Sequence, residues 1–403
     1  MHVEIIAIGD ELTSGRILNT TSAFAARHLY EAGFDILAIN TIGDSPEIIG
    51  ETLKRALSRA DLILVSGGLG GTDDDLTNEA VSKALNRPPQ ADPEMLTGIK
   101  NCLEKIAWLP EGATALAPQT KIAGYQIIHG KTPIFFLPGI PSQMHYLLVE
   151  EVLPRLASWH NSQTLTTKQR LFKVFGLSES EINRCINGLE LSPEAHIGYY
   201  PVFPDVHLSL TIRRQTMDAE QLFTTSSAAI REALGSYIYA TDEATMEQIV
   251  GELLTAGRQN LAVAESCTGG MVSSRLVNVP GSSSYFPGGV VSYANDLKKR
   301  YLGISDELLA NYGAVSKEAA VAMAAGIRES TAADIGLAIT GIAGPTGGSS
   351  EKPVGTVYIG LVTQSQETAF PFSFSGTRSQ IREITAQTAL DLVRRHLLKN
   401  GDE

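Results

Sequence analysis

Four short stretches in the last third of this 403-residue sequence carry residue types that can do chemistry on a carbonyl group. The first is AVAESCTGGMVSSRLV, in which Glu265, Ser266, Cys267, Thr268, Gly269 and Gly270 separate an apolar strand pattern from a helical one. That junction places Ser266 at the carboxyl edge of an α/β sheet, where such folds bind ligands, with the unpaired N–H groups of the next helix close by. A hydroxyl and such donors can attack a carboxamide and hold the oxyanion that forms, although the same letters also suit a glycine turn with a Ser or Thr cap. The second stretch, PGSSSYFPGGVVSYANDLKKR, offers Ser283, then Tyr293 at a strand end, then Lys298 on a helix. Serine can be activated by lysine only when the amine is neutral, which requires a pKa far below the free value of about 10.4. Taken singly, Lys298 is one of three consecutive cations on a helix and Tyr293 a half-buried strand residue. Cys267 is the rival nucleophile, since thiolate is intrinsically stronger, but it has no histidine nearby in sequence.

The third stretch, ITGIAGPTGGSSEKPVGTVYIG, joins two strands through a loop in which Gly341 and Gly344 would allow close backbone approach to a phosphate or ribose. The fourth, FSGTRSQIREITAQ, sets Arg378 and Arg382 four residues apart on one helix face, a spacing suited to a phosphate clamp or simply to solvated cations. Near the amino end, DLILVSGGLGGTDDDLT ends a strand in Gly67 and Gly68 and follows it with Asp73, Asp74 and Asp75 at an expected helix start. Glycines of this kind can nest a phosphate, and carboxylates can hold a divalent cation or only complement a helix dipole. FLPGIPSQM, with Gly139 and Ser142, is a second turn into a helix and a second place for phosphate.

The elements that position these residues read as α/β. VEIIAI, 35–42 and DLILVS are strands, separated by a helix with Phe24, Ala25, Leu29 and Ala32 on one face and by another capped at Ser45 with Pro46 first in the helix. This alternation predicts a mostly parallel sheet covered on both faces, ending near residue 160. The pattern fades over 87–120, and the polar stretch 158–168 reads as a linker. Residues 168–240 then form a small α+β unit, with Ser178 and Glu181 as a capping box, and 243–400 a second α/β domain. A chain of this length exceeds one ordinary core. With 43% hydrophobic and 19% charged residues it is expected to fold throughout, and with no apolar run long enough for a bilayer and no signal peptide it is expected to be cytoplasmic, without membrane partners. Three scattered cysteines (102, 185 and 267) argue against disulfides and structural zinc, and a net charge of −12 against nucleic acid.

AESCTGG, PGSS followed by Phe286, a GGVVSY strand leading to Lys298, GAVS at 313–316, TGIAGP, KPVGTV and F-x-G-x-R-x-x-x-R stand here in the order seen in the carboxy-terminal domain of the CinA family, which that segment resembles. That domain also occurs alone as the bacterial nicotinamide-nucleotide amidase. The resemblance implies hydrolysis of nicotinamide mononucleotide to nicotinate mononucleotide and ammonia, without a cofactor. Ser266 would be the nucleophile, Ser283, Tyr293 and Lys298 the rest of the catalytic cluster, and Thr268, Gly269, Gly270, Gly341, Gly344, Arg378 and Arg382 substrate contacts. GDELTSGRILNT and GGLG-x-T-x-DDLT resemble the family's amino-terminal molybdopterin-binding fold and imply an ADP-ribose pyrophosphatase using Mg, Mn or Co, with Asp44, Asp74 and Asp75 as metal ligands and Gly67, Gly68, Gly139 and Ser142 as phosphate contacts. Gly71 stands where the family has Pro, and Thr21 departs from its NTN. The middle unit, with GLSESEIN, resembles the family's KH-like connector but offers no GxxG loop, so it is assigned spacing and homodimer contacts. The competing reading from another class is a non-catalytic nucleotide-binding or competence-related interaction protein; a molybdopterin-binding enzyme is a third, resting on fold alone.

Overall fold

The computed structural model describes residues 1–96, 104–159, 166–214 and 218–401. The chain forms two compact units, Met1–Gln169 with Ile212–Gln221, and Arg170–Thr211 with Leu222–Glu403. The middle block thus packs largely with the last one. Most of the expected linker, residues 160–165, lies outside the described residues.

The first unit is built on β1 (His2–Ile8), α1 (Thr20–Glu31), β2 (Asp35–Ile42), α2 (Pro46–Leu57), β3 (Leu62–Ser66), α3 (Thr77–Ala84), β4 (Thr114–Ala115), β5 (Tyr125–His129), β6 (Thr132–Leu137) and α4 (Pro141–Leu147). Its sheet runs β2-β1-β3-β6-β5-β4. The pairs β1–β2, β1–β3 and β3–β6 are parallel. β5 turns back on β6 because only Gly130 and Lys131 join them, too few for a parallel crossover. Alternate residues of the central strands feed opposite cores: Ile6, Ile8, Ile63 and Val65 pack on one face, Val3, Ile5, Leu62 and Leu64 on the other. Ser45 caps α2 by accepting from the Ile48 N–H, with Pro46 in the first turn, as the sequence predicts. The aspartates at 73–75, expected at a helix start, lie in the loop before α3, which begins at Thr77.

In the middle block β7 (Thr166–Val174), α5 (Glu179–Asn187), β8 (Ala195–Val202), β9 (Asp205–Arg214), α6 (Ala219–Leu234) and β10 (Ile238–Thr241) give a sheet ordered β8-β9-β7-β10. The Ser178–Glu181 capping box is present. The last block adds α7 (Met246–Ala256), β11 (Leu261–Glu265), α8 (Met271–Val277), β12 (Gly288–Val291), α9 (Asn295–Leu302), α10 (Lys317–Thr331), β13 (Ile335–Gly341), β14 (Thr356–Val362), β15 (Glu367–Ser373) and α11 (Arg378–Gly401). Its sheet runs β12-β11-β13-β14-β15, parallel through the first three strands and antiparallel beyond. β15 has no counterpart in the sequence reading. It contains Pro371, which an edge strand tolerates. Wholly buried β11 sends Leu261 and Val263 into the core under α7 and α11, and Ala262 and Ala264 into the core under α10. The GAVS letters act structurally: Ser316 caps α10, and the Ala314 carbonyl accepts the Thr340 hydroxyl at 2.6 Å. Among the described residues no helix is long and apolar enough to cross a membrane.

Candidate active site

β11 delivers its chain to the carboxyl edge of the last sheet, and Ser266 is the first residue beyond it, its N–H still bonded to the Ile339 carbonyl of β13 at 3.0 Å. β12 lies parallel beside β11 with Glu265 opposite Val291, so Ser292 and Tyr293 leave the sheet at the same edge. α9 starts two residues later and turns Lys298 back over that edge. The Lys298 side chain is 1% exposed, and its Nζ lies 2.7 Å from the Ser292 carbonyl, 3.2 Å from the Tyr293 carbonyl and 3.2 Å from Ser266 Oγ. Burial holds its pKa below the usual lysine value. A neutral amine has two N–H groups and one lone pair. In the neutral form the two carbonyls can accept both N–H groups and leave the lone pair for the Ser266 hydroxyl, whereas in the charged form Nζ donates to all three oxygens.

The carboxylate of Glu265 is fully buried and takes up the amino end of α8. One oxygen accepts from the N–H groups of Gly270 (3.0 Å) and Val272 (3.2 Å), the other from the N–H (2.8 Å) and hydroxyl (2.7 Å) of Ser273. The N–H groups of Gly270, Val272 and Ser273, three of the donors that the sequence reading offers to an oxyanion, are therefore occupied. Gly269 and Gly270, at φ of 62° and 90°, allow the chain to make this turn. Cys267 is buried, and burial pushes its thiol up to about 11, so it is protonated near neutral pH.

Around this pair, Arg378 donates to the Gly344 carbonyl (2.6 Å) and to the exposed Tyr293 hydroxyl (3.0 Å), while Arg382 donates to the Thr268 carbonyl (2.8 Å). Both arginines spend donors on the protein rather than standing free on one face as a clamp. Thr268 is buried, with its hydroxyl unpartnered. Gly341 is dictated by packing: a Cβ there would meet Val357 Cγ2 at 2.7 Å and the Thr356 carbonyl at 2.8 Å. Ser283 is not brought beside Ser266 within this chain. It is exposed and lies in the turn Ser282–Ser284, before Tyr285, whose carbonyl accepts from Leu261 at the start of β11. α8 has carried the chain back to the opposite sheet edge, on the order of 13 Å from Ser266 along the strand.

The first unit holds a cavity of about 720 Å³ at the carboxyl ends of β1 and β3, walled by Gly67, Gly68, Gly139 and the carboxylates of Asp10, Glu11, Asp44, Asp73, Asp74 and Asp75. Gly67 is required there: its φ is 106°, and a Cβ would sit 2.1 Å from the Ile8 carbonyl. Ser142 does not line it. Asp10 and Asp44 exchange hydrogen bonds, each carboxylate accepting from the other's N–H at 2.8 and 3.2 Å. Burial raises the Asp44 pKa, and crowding by Asp10, Glu11 and Asp75 adds to the rise. Burial raises Asp75 too, but hydrogen bonds from Thr72 and Gly70 outweigh it and leave that carboxyl below its usual range. Among the described residues, no three acidic, histidine or cysteine side chains converge tightly enough to hold a metal ion. The expected set Asp44, Asp74 and Asp75 is thus not a ready-made metal centre, and the neighbours of Asp44 are Asp10, Glu11 and Asp75. The sequence reading missed Asp10 and Glu11, although they follow β1 directly at this edge.

Three family models match in chain order: "Probable molybdopterin binding domain" over 4–158, "Damage-inducible protein CinA KH domain" over 169–240 and "CinA C-terminal domain" over 243–397. A CinA-like protein of Desulfotalea psychrophila is 54% identical over 412 residues, covering 99% of this chain and 100% of the relative. A CinA-like protein of Citrifermentans bemidjiense is 38% identical over 417 residues, with 99% and 98% covered. The solved competence/damage inducible protein CihA of Agrobacterium tumefaciens is 35% identical, covering 38% of this chain and 93% of its own, with a TM-score of 0.37. With relatives of this identity aligned from end to end and all three family models in order, the chain belongs to the CinA family.

Proposed function

We propose that the last block hydrolyses the carboxamide of nicotinamide mononucleotide, giving nicotinate mononucleotide and ammonia, with Ser266 as nucleophile and neutral Lys298 as base. The observation that supports this most is the 3.2 Å approach of a buried, carbonyl-anchored amine to Ser266 Oγ. Ser266 Oγ bonds to the carboxamide carbon while its proton passes to Lys298 Nζ. As the tetrahedral intermediate collapses, the carbon–nitrogen bond breaks and Lys298 returns that proton to the departing nitrogen, so ammonia leaves and an ester remains on Ser266. Water then adds to the ester carbon, again giving a proton to Lys298. The second collapse breaks the bond to Oγ, which takes the proton back and releases the carboxylate product. Incubating the purified chain with nicotinamide mononucleotide and measuring ammonia and the acid product tests this reading. Tight nucleotide binding without ammonia would favour a non-catalytic nucleotide-binding role.

For the first unit we propose ADP-ribose as ligand and substrate, supported by the volume of the cavity and its glycine-lined wall. We propose that a divalent cation (Mg, Mn or Co) is drawn to the crowded carboxylate of Asp44 together with the phosphates of the substrate, since among the described residues no three carboxylates form a metal site by themselves. Formation of AMP and ribose 5-phosphate from ADP-ribose, measured with each metal in turn, is the test.

A further inference from the structure

The Glu265 side chain has no exposure to water and no lysine or arginine within its hydrogen-bonding set. Such a carboxylate persists only where donors satisfy it, and here three backbone N–H groups and one hydroxyl do so. The consequence falls on the loop it closes. Of the N–H groups from Ser266 to Ser273, that of Ser266 goes to Ile339, that of Gly269 to Ser266, and those of Gly270, Val272 and Ser273 to Glu265. Among the described residues the N–H groups of Cys267, Thr268 and Met271 have no backbone or carboxylate acceptor, and the first two stand next to the nucleophile. From the other side Arg382 holds the Thr268 carbonyl, fixing the Thr268–Gly269 peptide, while the Ser266–Ile339 bond fixes the start of the loop.

We infer that Glu265 and Arg382 are positioning residues for the amidase reaction, together presenting the N–H groups of Cys267 and Thr268 to the tetrahedral oxyanion. The inference rests on the amidase reading above. By taking the Gly270, Val272 and Ser273 donors, Glu265 leaves the N–H groups beside the nucleophile as the place where negative charge develops. Donors that act only on that charge alter turnover and not ground-state binding. Arg382 thereby acts through Thr268 and not on the substrate phosphate.

The test compares the full-length chain with Glu265→Gln and Arg382→Gln. Gln keeps the size of Glu265 but turns an NH2 toward donors that the carboxylate accepts. Both variants are expected to lower kcat by about 10²-fold with KM within about threefold, and thermal melting separates this from unfolding. Arg382→Gln acts from the partly buried side of the loop, so it serves if Glu265→Gln does not fold. A rise in KM at near-normal kcat for Arg382→Gln would overturn the inference and return that arginine to phosphate binding. A second readout is independent of the substrate: phosphorylation of Ser266 by diisopropyl fluorophosphate, read by mass, in which the serine oxygen displaces fluoride, its proton leaves with the fluoride, and the phosphoryl oxygen occupies the same donors. Slower labelling of both variants is expected, and equal labelling overturns the inference. Labelling that depends on Glu265 in a chain that releases no ammonia would sink the nicotinamide reading alone, and a chain that neither labels nor turns over would sink both.

Discussion

Lys298 Nζ reaches Ser266 Oγ at 3.2 Å across 32 residues of sequence, because two parallel strands end side by side and the helix after the second folds its lysine back over the first. The two carbonyls that hold the amine belong to Ser292 and Tyr293, the residues that immediately follow the second strand. The position of the amine is therefore a property of the sheet edge, and not of a flexible side chain reaching inward from solvent.

The pair sets the order of two alanine substitutions. Ser266→Ala should reduce ammonia release by at least about 10³-fold with the melting temperature unchanged. Cys267→Ala should cost little, since its thiol, pushed up to about 11 by burial, supplies little thiolate near neutral pH. Steady-state turnover of the two proteins checks this, and the reverse order would move the nucleophile to the sulfur.

Ser283→Ala should leave kcat and KM within about twofold of the parent, because that serine is exposed at the opposite end of β11. A loss comparable to that of Ser266→Ala would mean that the hydroxyl enters the site by a route outside one chain's fold.

Much of this was legible in the sequence, and the misses have physical causes. The LAVAE strand, the Ser178 cap and the helix bearing Lys298 follow from periodicity and capping chemistry, which are local. Where Ser283 lies was not legible, because linear distance says nothing about direction: the turn after α8 leaves Tyr285 bonded to Leu261, at the start of β11 and not at its end. Glu265 reads as the last letter of a strand, and only the close packing of the next helix turn shows its carboxylate as the acceptor for that turn. Asp10 and Glu11 stand far in sequence from the glycine loop, and only the parallel pairing of β1 with β3 places them beside it.

In the first unit, Asp75→Asn and Asp44→Asn should each abolish metal-dependent cleavage of ADP-ribose, whereas Asp74→Asn should retain most of it, because only the first two lie in the crowded carboxylate group. Ammonia release should be unaffected in all three. Measuring both activities on the same preparations checks the separation, and equal losses for Asp74→Asn and Asp75→Asn would restore the set expected from sequence.

The most direct measurement is kcat for ammonia release against pH, in the parent and in Lys298→Arg. Burial lowers the lysine pKa, so the neutral, proton-accepting form grows as pH rises through that depressed value, and the parent rate should rise over the same interval and then level. Guanidinium stays protonated, so Lys298→Arg should lose kcat by at least about 10²-fold and show no such rise. An arginine variant that keeps more than about a tenth of the parent kcat, or a parent profile flat across the range where lysine loses its proton, would contradict the account.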